Sequence, residues 1–335
     1  AMKVHVFCEA PFGMRGNGVH TAFRDSIELL NDGPDIEAVV SRRGKGDVFH
    51  SHTYGPRYFW AGRKYKGRRV FTAHVIPDSV RGSFPLWKLI LPLSKWYLKK
   101  VYEYADVCLA ISPRVADSIR ELGTRTRIVE ISNPVMMEHW RFTPEKRERG
   151  RRMLGLGDDD FVVLGVGQLV ERKGVEDFLD VAEAIPEARF IWAGGRPFGV
   201  LSDGLIKINA RIKRAPGHVR FTGMLELEEM PLVYAAADAM LFTSYQENCP
   251  LAPLEAAACS LPVLFRDLPE YALLFRNPYL KTGSTGGFIE MTRRLMKDET
   301  FFREAREISR QLVTQFDRRQ IRNELLEVYR SLLIN

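Results

Sequence analysis

Short apolar runs separated by stretches of helical spacing repeat along the whole chain, and few folds accommodate that alternation. In the first half the runs fall at residues 4–7, 36–40, 48–50, 70–73, 107–111 and 128–131. In the second half they fall at 161–166, 190–193, 219–222, 240–243 and 263–265. Between the runs, Val19, Phe23, Ile27 and Leu30 share one helical face, and residues 175–185 and 231–237 read as helices too. Strands that alternate with helices form parallel sheets with helices on their faces. The pattern therefore predicts an α/β chain of two doubly wound, Rossmann-like domains facing across a cleft. A length of 335 residues suits two domains. The first is read over 1–150 and the second over 151–316. The last segment, 317–335, carries Ile321, Leu325, Val328 and Leu332 on one face and is expected to pack back on the first domain. The run from Pro144 to Arg152 is either solvated linker or an exposed helix entering the second domain.

Charge narrows the choice of partners. Residues 1–150 hold 25 Lys/Arg against 16 Asp/Glu, a balance of +9, whereas 151–335 hold 24 against 26, a balance of −2. An anionic partner is expected on the first half: a membrane surface, a nucleic acid or an acidic substrate. Cys8, Cys108, Cys249 and Cys259 form no C-x-x-C pair and no metal-ligand spacing, which fits a reducing cytosol. No apolar run approaches the roughly 18 residues that a bilayer span needs. The first apolar run passes directly into a Gly-rich turn, as a first strand does, so no signal peptide is read.

The segment Ser244-Tyr-Gln-Glu247-Asn-Cys-Pro250-Leu-Ala-Pro-Leu-Glu255 sets two carboxylates across a turn, after a strand and at the head of a helix read over 253–259. A helix start aims free N–H groups and a positive dipole end at whatever lies before it, which suits a diphosphate. Glu247, on the loop, could accept hydrogen bonds from sugar hydroxyls, and Glu255 could reach a ribose. The plain alternative is a solvated loop Glu and a Glu that complements the dipole.

Arg172 and Lys173 occupy a strand-to-helix loop, where adjacent cations can neutralise a leaving diphosphate. Cations near a helix N-terminus are unfavourable without an anion, which favours a functional reading over a solvated pair. Gly13-Met-Arg-Gly16-Asn-Gly18 allows close backbone approach to a ligand or simply turns the chain. It departs from the dinucleotide fingerprint, and no acidic residue plainly ends the next strand, which disfavours a nicotinamide dehydrogenase. His50, His52 and His74 lie at neighbouring strand ends, in a spacing that names no metal. The segment 83–100 mixes Trp87 and Trp96 with Lys88, Lys95, Lys99 and Lys100. It reads either as an interfacial helix on anionic lipid or as an ordinary amphipathic helix with lysines in water. Nucleic acid is disfavoured, because no recognised nucleic-acid motif accompanies the charge.

Together these residues resemble the retaining family 4 glycosyltransferases of the GT-B fold. Glu247 and Glu255, eight positions apart, and Gly167-Gln-Leu-Val-Glu-Arg-Lys173-Gly carry the resemblance most specifically. It implies that Glu247 contacts the donor hexose, Glu255 the ribose and Lys173 the diphosphate, with Arg172 helping. It places His74 near the donor sugar and Gly16, Asn17 and Gly18 near the phosphates. Gln168, Glu270 and the backbone around Asn248, Cys249, Pro250 and Leu251 would complete the donor pocket. The family commonly has Arg at the position of Gln168 and Gly-Phe at Asn248-Cys249, departures that bear on charge and sugar choice.

Within the family, the segment from His50 through Tyr54 to Pro56, Glu171-Arg-Lys-Gly174-Val with Asp177-Phe178, and Arg266-Asp-Leu-Pro269 look like bacterial diacylglycerol glucosyltransferases. Tyr54 then belongs with the basic aromatic segment on the acceptor and membrane side. The resemblance implies a monotopic enzyme on the cytoplasmic leaflet. It would move glucose from UDP-glucose to a lipid hydroxyl such as that of diacylglycerol, with retention, and would need no cofactor or metal beyond the nucleotide sugar. UDP-galactose or GDP-mannose as donor, a non-lipid acceptor, and a catalytically silent membrane scaffold remain as alternatives.

Overall fold

The computed structural model describes residues 1–9, 18–40, 45–80, 87–196 and 205–334. The chain divides into two compact units. Of the described residues, those up to Pro134 and from Phe316 onward form one, and those of Val135–Gln315 form the other.

The first unit is a six-stranded parallel sheet. Its strands are β1 (Met2–Phe7), β2 (Ile36–Val40), β3 (Val48–Ser51), β4 (Arg69–Ala73), β5 (Val107–Ala110) and β6 (Arg127–Glu130), in the order β2-β1-β3-β4-β5-β6. β3 and β5 are buried at every residue, as strands covered on both faces must be, whereas the edge strands β2 and β6 are partly exposed. On one face, Val4, Val6, Val48, Val70 and Leu109 pack against Leu29 and Leu30 of the helix Gly18–Leu30. The same core takes Ile321, Leu325, Val328 and Tyr329 from the helix Arg318–Leu333. That last helix is capped by Asp317, whose carboxylate accepts from the N–H groups of Arg319 and Gln320. Aromatic rings pack elsewhere in the core, with Phe49 and Tyr65 centroids 5.3 Å apart and Phe71 and Tyr102 at 5.9 Å.

The second unit repeats the plan with β7 (Val162–Val166), β8 (Arg189–Ala193), β9 (Val219–Gly223), β10 (Ala239–Phe242), β11 (Val263–Arg266) and β12 (Leu280–Thr282). Its order is β12-β11-β10-β7-β8-β9, all parallel. β12 escapes sequence reading because its three residues contain one apolar side chain.

The charged run after Pro144 is a helix, Pro144–Leu154, not a linker. The boundary expected at residue 150 falls inside this helix, all of which belongs to the second unit. Arg147 and Arg151 donate to opposite oxygens of Asp238, at 2.7 and 2.9 Å. Gly150 lies against the Leu232 carbonyl, where an added Cβ would come within 2.1 Å of the oxygen.

Candidate functional site

In the second unit the chain runs outward from β7 to β8 and β9 on one side, and to β10, β11 and β12 on the other. The direction reverses between β7 and β10. Crevices form beyond the carboxyl ends of strands at such a switch point. The loop after β7 and the loop after β10 meet there.

Three backbone contacts fasten these loops together. Thr243 Oγ1 donates to the carbonyls of Lys173 and Gly174, at 3.0 and 2.9 Å, and the N–H of Tyr245 donates to the Arg172 carbonyl at 2.8 Å. Gly174 makes this closeness possible. Its φ is +68°, and a Cβ there would lie 2.2 Å from the Thr243 carbonyl oxygen. The register sets Lys173 opposite Glu247, and Lys173 Nζ donates to Glu247 Oε1 at 2.5 Å. Ser244 Oγ donates to the same oxygen at 2.7 Å. The side chains of Lys173 and Glu247 are 15 % and 9 % exposed, so each charge depends on the other for compensation. Burial pulls the Lys173 ammonium below its ordinary pKa, and the Glu247 carboxylate partly opposes that shift.

Behind the pair lies a second polar layer. Asp177 accepts from Tyr245 Oη at 2.5 Å, Arg266 Nη2 at 2.8 Å and Thr285 Oγ1 at 3.0 Å. Arg266 also donates from Nε to the Thr243 carbonyl at 2.9 Å and lies over the Tyr245 ring, 3.9 Å from its centroid. These residues hold the loop that carries Glu247. In the sequence Asp177 and Arg266 stand out only as parts of motifs, because their convergence joins a strand end and the starts of two helices.

Glu255 lies on the helix Leu251–Ala258, which starts two residues before the expected position, and is 8 % exposed. Tyr234 Oη donates to Glu255 Oε2 at 2.7 Å. Burial, then the Glu255 charge, pushes the Tyr234 hydroxyl well above its ordinary pKa, so it stays protonated as a donor. Pro250, the cap of this helix, offers no side-chain hydrogen bond to the first-turn amides. Asn248 and Cys249 are half-buried on the same loop, and Leu251 opens the helix. Gln168 and Arg172 are exposed, and Arg172 Nη1 donates to the Gln246 carbonyl at 3.5 Å. Glu270 is half-buried in the first turn of the helix Pro269–Leu274.

The remaining expected residues belong to the first unit. Gly16 and Asn17 lie outside the described residues, and Gly18 opens the helix Gly18–Leu30. His74 follows β4 and is 8 % exposed, with burial lowering its pKa to about 4. Lys88, Lys95, Trp96, Lys99 and Lys100 lie on the helix Trp87–Tyr104, and the Trp87 side chain is outside the described part. Leu89, Leu93 and Trp96 are 75 %, 64 % and 59 % exposed on that helix. Trp60 on the neighbouring helix Pro56–Gly62 is 56 % exposed under the Arg63 guanidinium, and sequence reading passed over it. The helices join through Tyr97 and Tyr104, whose hydroxyls donate to the carbonyls of Tyr54 and Phe59. Among the described residues, no helix is long and apolar enough to cross a membrane.

Comparison with known proteins shows the family and the fold. Residues 2–139 match the family model described as Glycosyltransferase Family 4, and residues 146–310 match that of Glycosyl transferases group 1. The chain is 32 % identical over 273 residues to the alpha-galactosylglucosyldiacylglycerol synthase of Streptococcus pneumoniae, covering 80 % of this chain and 73 % of the relative. It is 28 % identical to the processive diacylglycerol alpha-glucosyltransferase of Acholeplasma laidlawii, covering 81 % and 80 %. Among solved structures, Anabaena HepE in complex with UDP and glucose superposes with a TM-score of 0.78 at 17 % identity, over 99 % of this chain and all of that one. Sucrose-phosphate synthase from Thermosynechococcus elongatus superposes at 0.70 and 19 % identity, over 86 % and 74 %.

Proposed function

This chain belongs to the family 4 glycosyltransferases and has the GT-B fold, and from that premise we propose that it transfers glucose from UDP-glucose to the hydroxyl of diacylglycerol, with retention, at a membrane surface. The observation that carries the proposal is the buried Lys173–Glu247 pair at the switch point of the second sheet. A donor diphosphate would draw the Lys173 ammonium, and the hexose hydroxyls would take its place on Glu247. Each charge then exchanges one partner for another in a site poor in water. Arg172 and the N-terminal dipole end of the helix Leu251–Ala258, which has no side-chain cap, add positive character for the leaving diphosphate. In this reading these groups, not a metal, neutralise it. Glu255, held by Tyr234, receives the ribose hydroxyls.

In the transfer, the bond from C1 of the sugar to the phosphate oxygen breaks, and a bond from C1 to the acceptor oxygen forms on the same face. The acceptor proton passes to the departing diphosphate. Glu247 is bound to Lys173 and Ser244 and is better suited to hydroxyls than to forming a covalent intermediate. The "alpha" in the relatives' names supports retention, since nucleotide hexoses of this kind are alpha-linked.

The first unit supplies the membrane side of the proposal. Leu89, Leu93 and Trp96 with the surrounding lysines, and Trp60 with Arg63, form an apolar and basic face suited to anionic lipid. A second reading draws on the Streptococcus pneumoniae relative: galactose from UDP-galactose, delivered to a glucosylated diacylglycerol.

Product analysis tests both readings. Anionic liposomes carrying diacylglycerol, or glucosyldiacylglycerol, are incubated with the protein and a panel of nucleotide sugars, with Glu247→Ala alongside. A monoglucosyl lipid from UDP-glucose, absent in the variant, is the expected result. Product only from UDP-galactose and the glucosylated acceptor replaces the first reading with the second. Liposome binding with no glycolipid from any donor overturns both.

A further inference from the structure

Three buried histidines lie on or just beyond the adjacent strands β3 and β4. His50 is 1 % exposed and His52 2 %, with His74 beside them. Both ring nitrogens of His50 are engaged, Nδ1 with Tyr329 Oη and Nε2 with Thr72 Oγ1, each at 2.6 Å. The His52 ring stacks on His50, with centroids 4.5 Å apart, and meets the His74 ring edge to edge, with centroids 5.4 Å apart and planes 23° from parallel. His52 Nδ1 and His74 Nε2 are 3.1 Å apart and share one proton in a hydrogen bond. The other nitrogen of His52, Nε2, is buried without a partner among the described residues.

That lone nitrogen decides where the proton sits. If His74 Nε2 carried it, His52 Nδ1 would be the acceptor, and neutral His52 would hold its own proton on Nε2. An N–H would then be buried with no acceptor, forfeiting its full hydration. With the proton on His52 Nδ1, only a bare ring lone pair is orphaned, and orphaned acceptors are better tolerated than orphaned donors. A doubly protonated His52 would bury a charge among three packed imidazoles. The shared proton therefore belongs to His52 Nδ1 and is donated to His74 Nε2. A neutral His74 must then carry its own proton on Nδ1.

We propose that His52 is a positioning residue that holds His74 as the Nδ1–H tautomer, making it a neutral hydrogen-bond donor and not a base. Free histidine favours the opposite tautomer, so the preference is imposed by the fold. With Nε2 occupied, His74 cannot take a proton from an acceptor hydroxyl. Through Nδ1–H it can stabilise negative charge that develops on a substrate oxygen. That use rests on the transfer reaction proposed above, but the tautomer does not.

The test is a long-range proton–nitrogen correlation spectrum of the full-length protein labelled with nitrogen-15 at histidine, at neutral pH. Signals are assigned by their loss in His52→Leu and His74→Gln. Both rings are expected to show a pyrrole-type Nδ1 and a pyridine-type Nε2. A pyrrole-type Nε2 on His74 overturns the proposal. In His52→Leu, the His74 tautomer should revert toward Nε2–H. Its kcat should fall roughly 10- to 100-fold, while the donor KM changes less than about twofold. His52→Asn, whose side-chain amide can replace the donor, should recover most of the loss. Unchanged kcat and tautomer in a folded His52→Leu would refute the positioning role. If circular dichroism shows that this variant does not fold, the wild-type spectrum and His52→Asn decide. If the wild-type protein turns over no donor, the transfer reading fails while the spectrum still settles the tautomer.

Discussion

Mild acid should unfold the first unit ahead of the second, and the buried histidines set the size of the effect. Burial lowers His50 to about 3 and His74 to about 4, and moves His52 well below its ordinary value in the same direction. All three folded values lie below the unfolded value of about 6.5. The unfolded chain therefore binds protons that the native chain refuses. The stability tied to these groups is whole above pH about 6.5 and is lost as pH falls toward the folded values. At pH about 5 His50 and His74 have each cost about 2 kcal/mol, about 4 kcal/mol together, and His52 adds to the loss in the same direction. Asp25 works against them, because burial raises its carboxyl to about 6. Its folded value lies above the unfolded one, so its burial costs stability at neutral pH, and protonation returns about 1.4 kcal/mol by pH about 5. The net loss from His50, His74 and Asp25 is about 3 kcal/mol, to which His52 adds, a large part of the about 5–15 kcal/mol that stabilises a domain.

Urea unfolding followed by circular dichroism at steps from pH about 7.5 to about 5 reads this loss. With a slope of about 2 kcal/mol per molar, the midpoint of the first unit should drop by more than about 1 M. Hydrogen-exchange mass spectrometry of β3 and β4 peptides, with β7 and β10 as internal reference, assigns the loss to its unit. His50→Gln removes one titrating ring and should flatten the pH dependence by up to about 1.4 kcal/mol per pH unit. A first-unit midpoint that stays level over this range, or a slope unchanged in His50→Gln, would refute the reasoning.

Three further outcomes follow from packing and exposure. Gly174→Ala combines a left-handed φ of +68° with a Cβ placed 2.2 Å from the Thr243 carbonyl oxygen. It should cost the second unit more than about 3 kcal/mol, against about 1 kcal/mol for Gly67→Ala. Gly67 has a φ of +84° and open space around it, so equal losses in urea melts would discredit the close-approach argument. Asp238→Ala strands the guanidinium groups of Arg147 and Arg151 and should destabilise the second unit by about 3 kcal/mol in calorimetry, without lowering the transition of the first. Leu93→Glu with Trp96→Ser changes side chains that are 64 % and 59 % exposed, so circular dichroism should be unaltered. Co-sedimentation with anionic liposomes should weaken roughly tenfold or more, and unchanged binding would move the lipid contact elsewhere.

Much of the fold is legible in the sequence because parallel sheets need apolar runs interleaved with helices, and both halves show them. The exceptions are instructive. β12 has too few apolar residues to register, and sheet closure next to β11 stabilises it instead. The helix Pro144–Leu154 looks like a linker by composition, yet Asp238 and the Leu232 backbone anchor it in the second unit. At the candidate site, the spacing of Glu247 and Glu255 and the Arg172-Lys173 pair could be read directly. The roles of Asp177, Arg266 and Tyr234 could not, because each depends on a partner from another element, and that of Ser244 depends on how its own loop folds back toward Glu247.

The sequence by itself determined the alternation of strands and helices, the basic first half, and the residue types available at the strand ends. Those properties are local, set by side-chain chemistry and by periods of two and 3.6 residues. Only the tertiary structure decided that Lys173 neutralises Glu247, that the last helix seals the first sheet through Tyr329, and that His52 has a nitrogen with nowhere to donate. These are contacts between residues far apart in the chain. They exist because closing the sheets brings loops together at fixed register, where a buried charge or N–H must find its partner or go without.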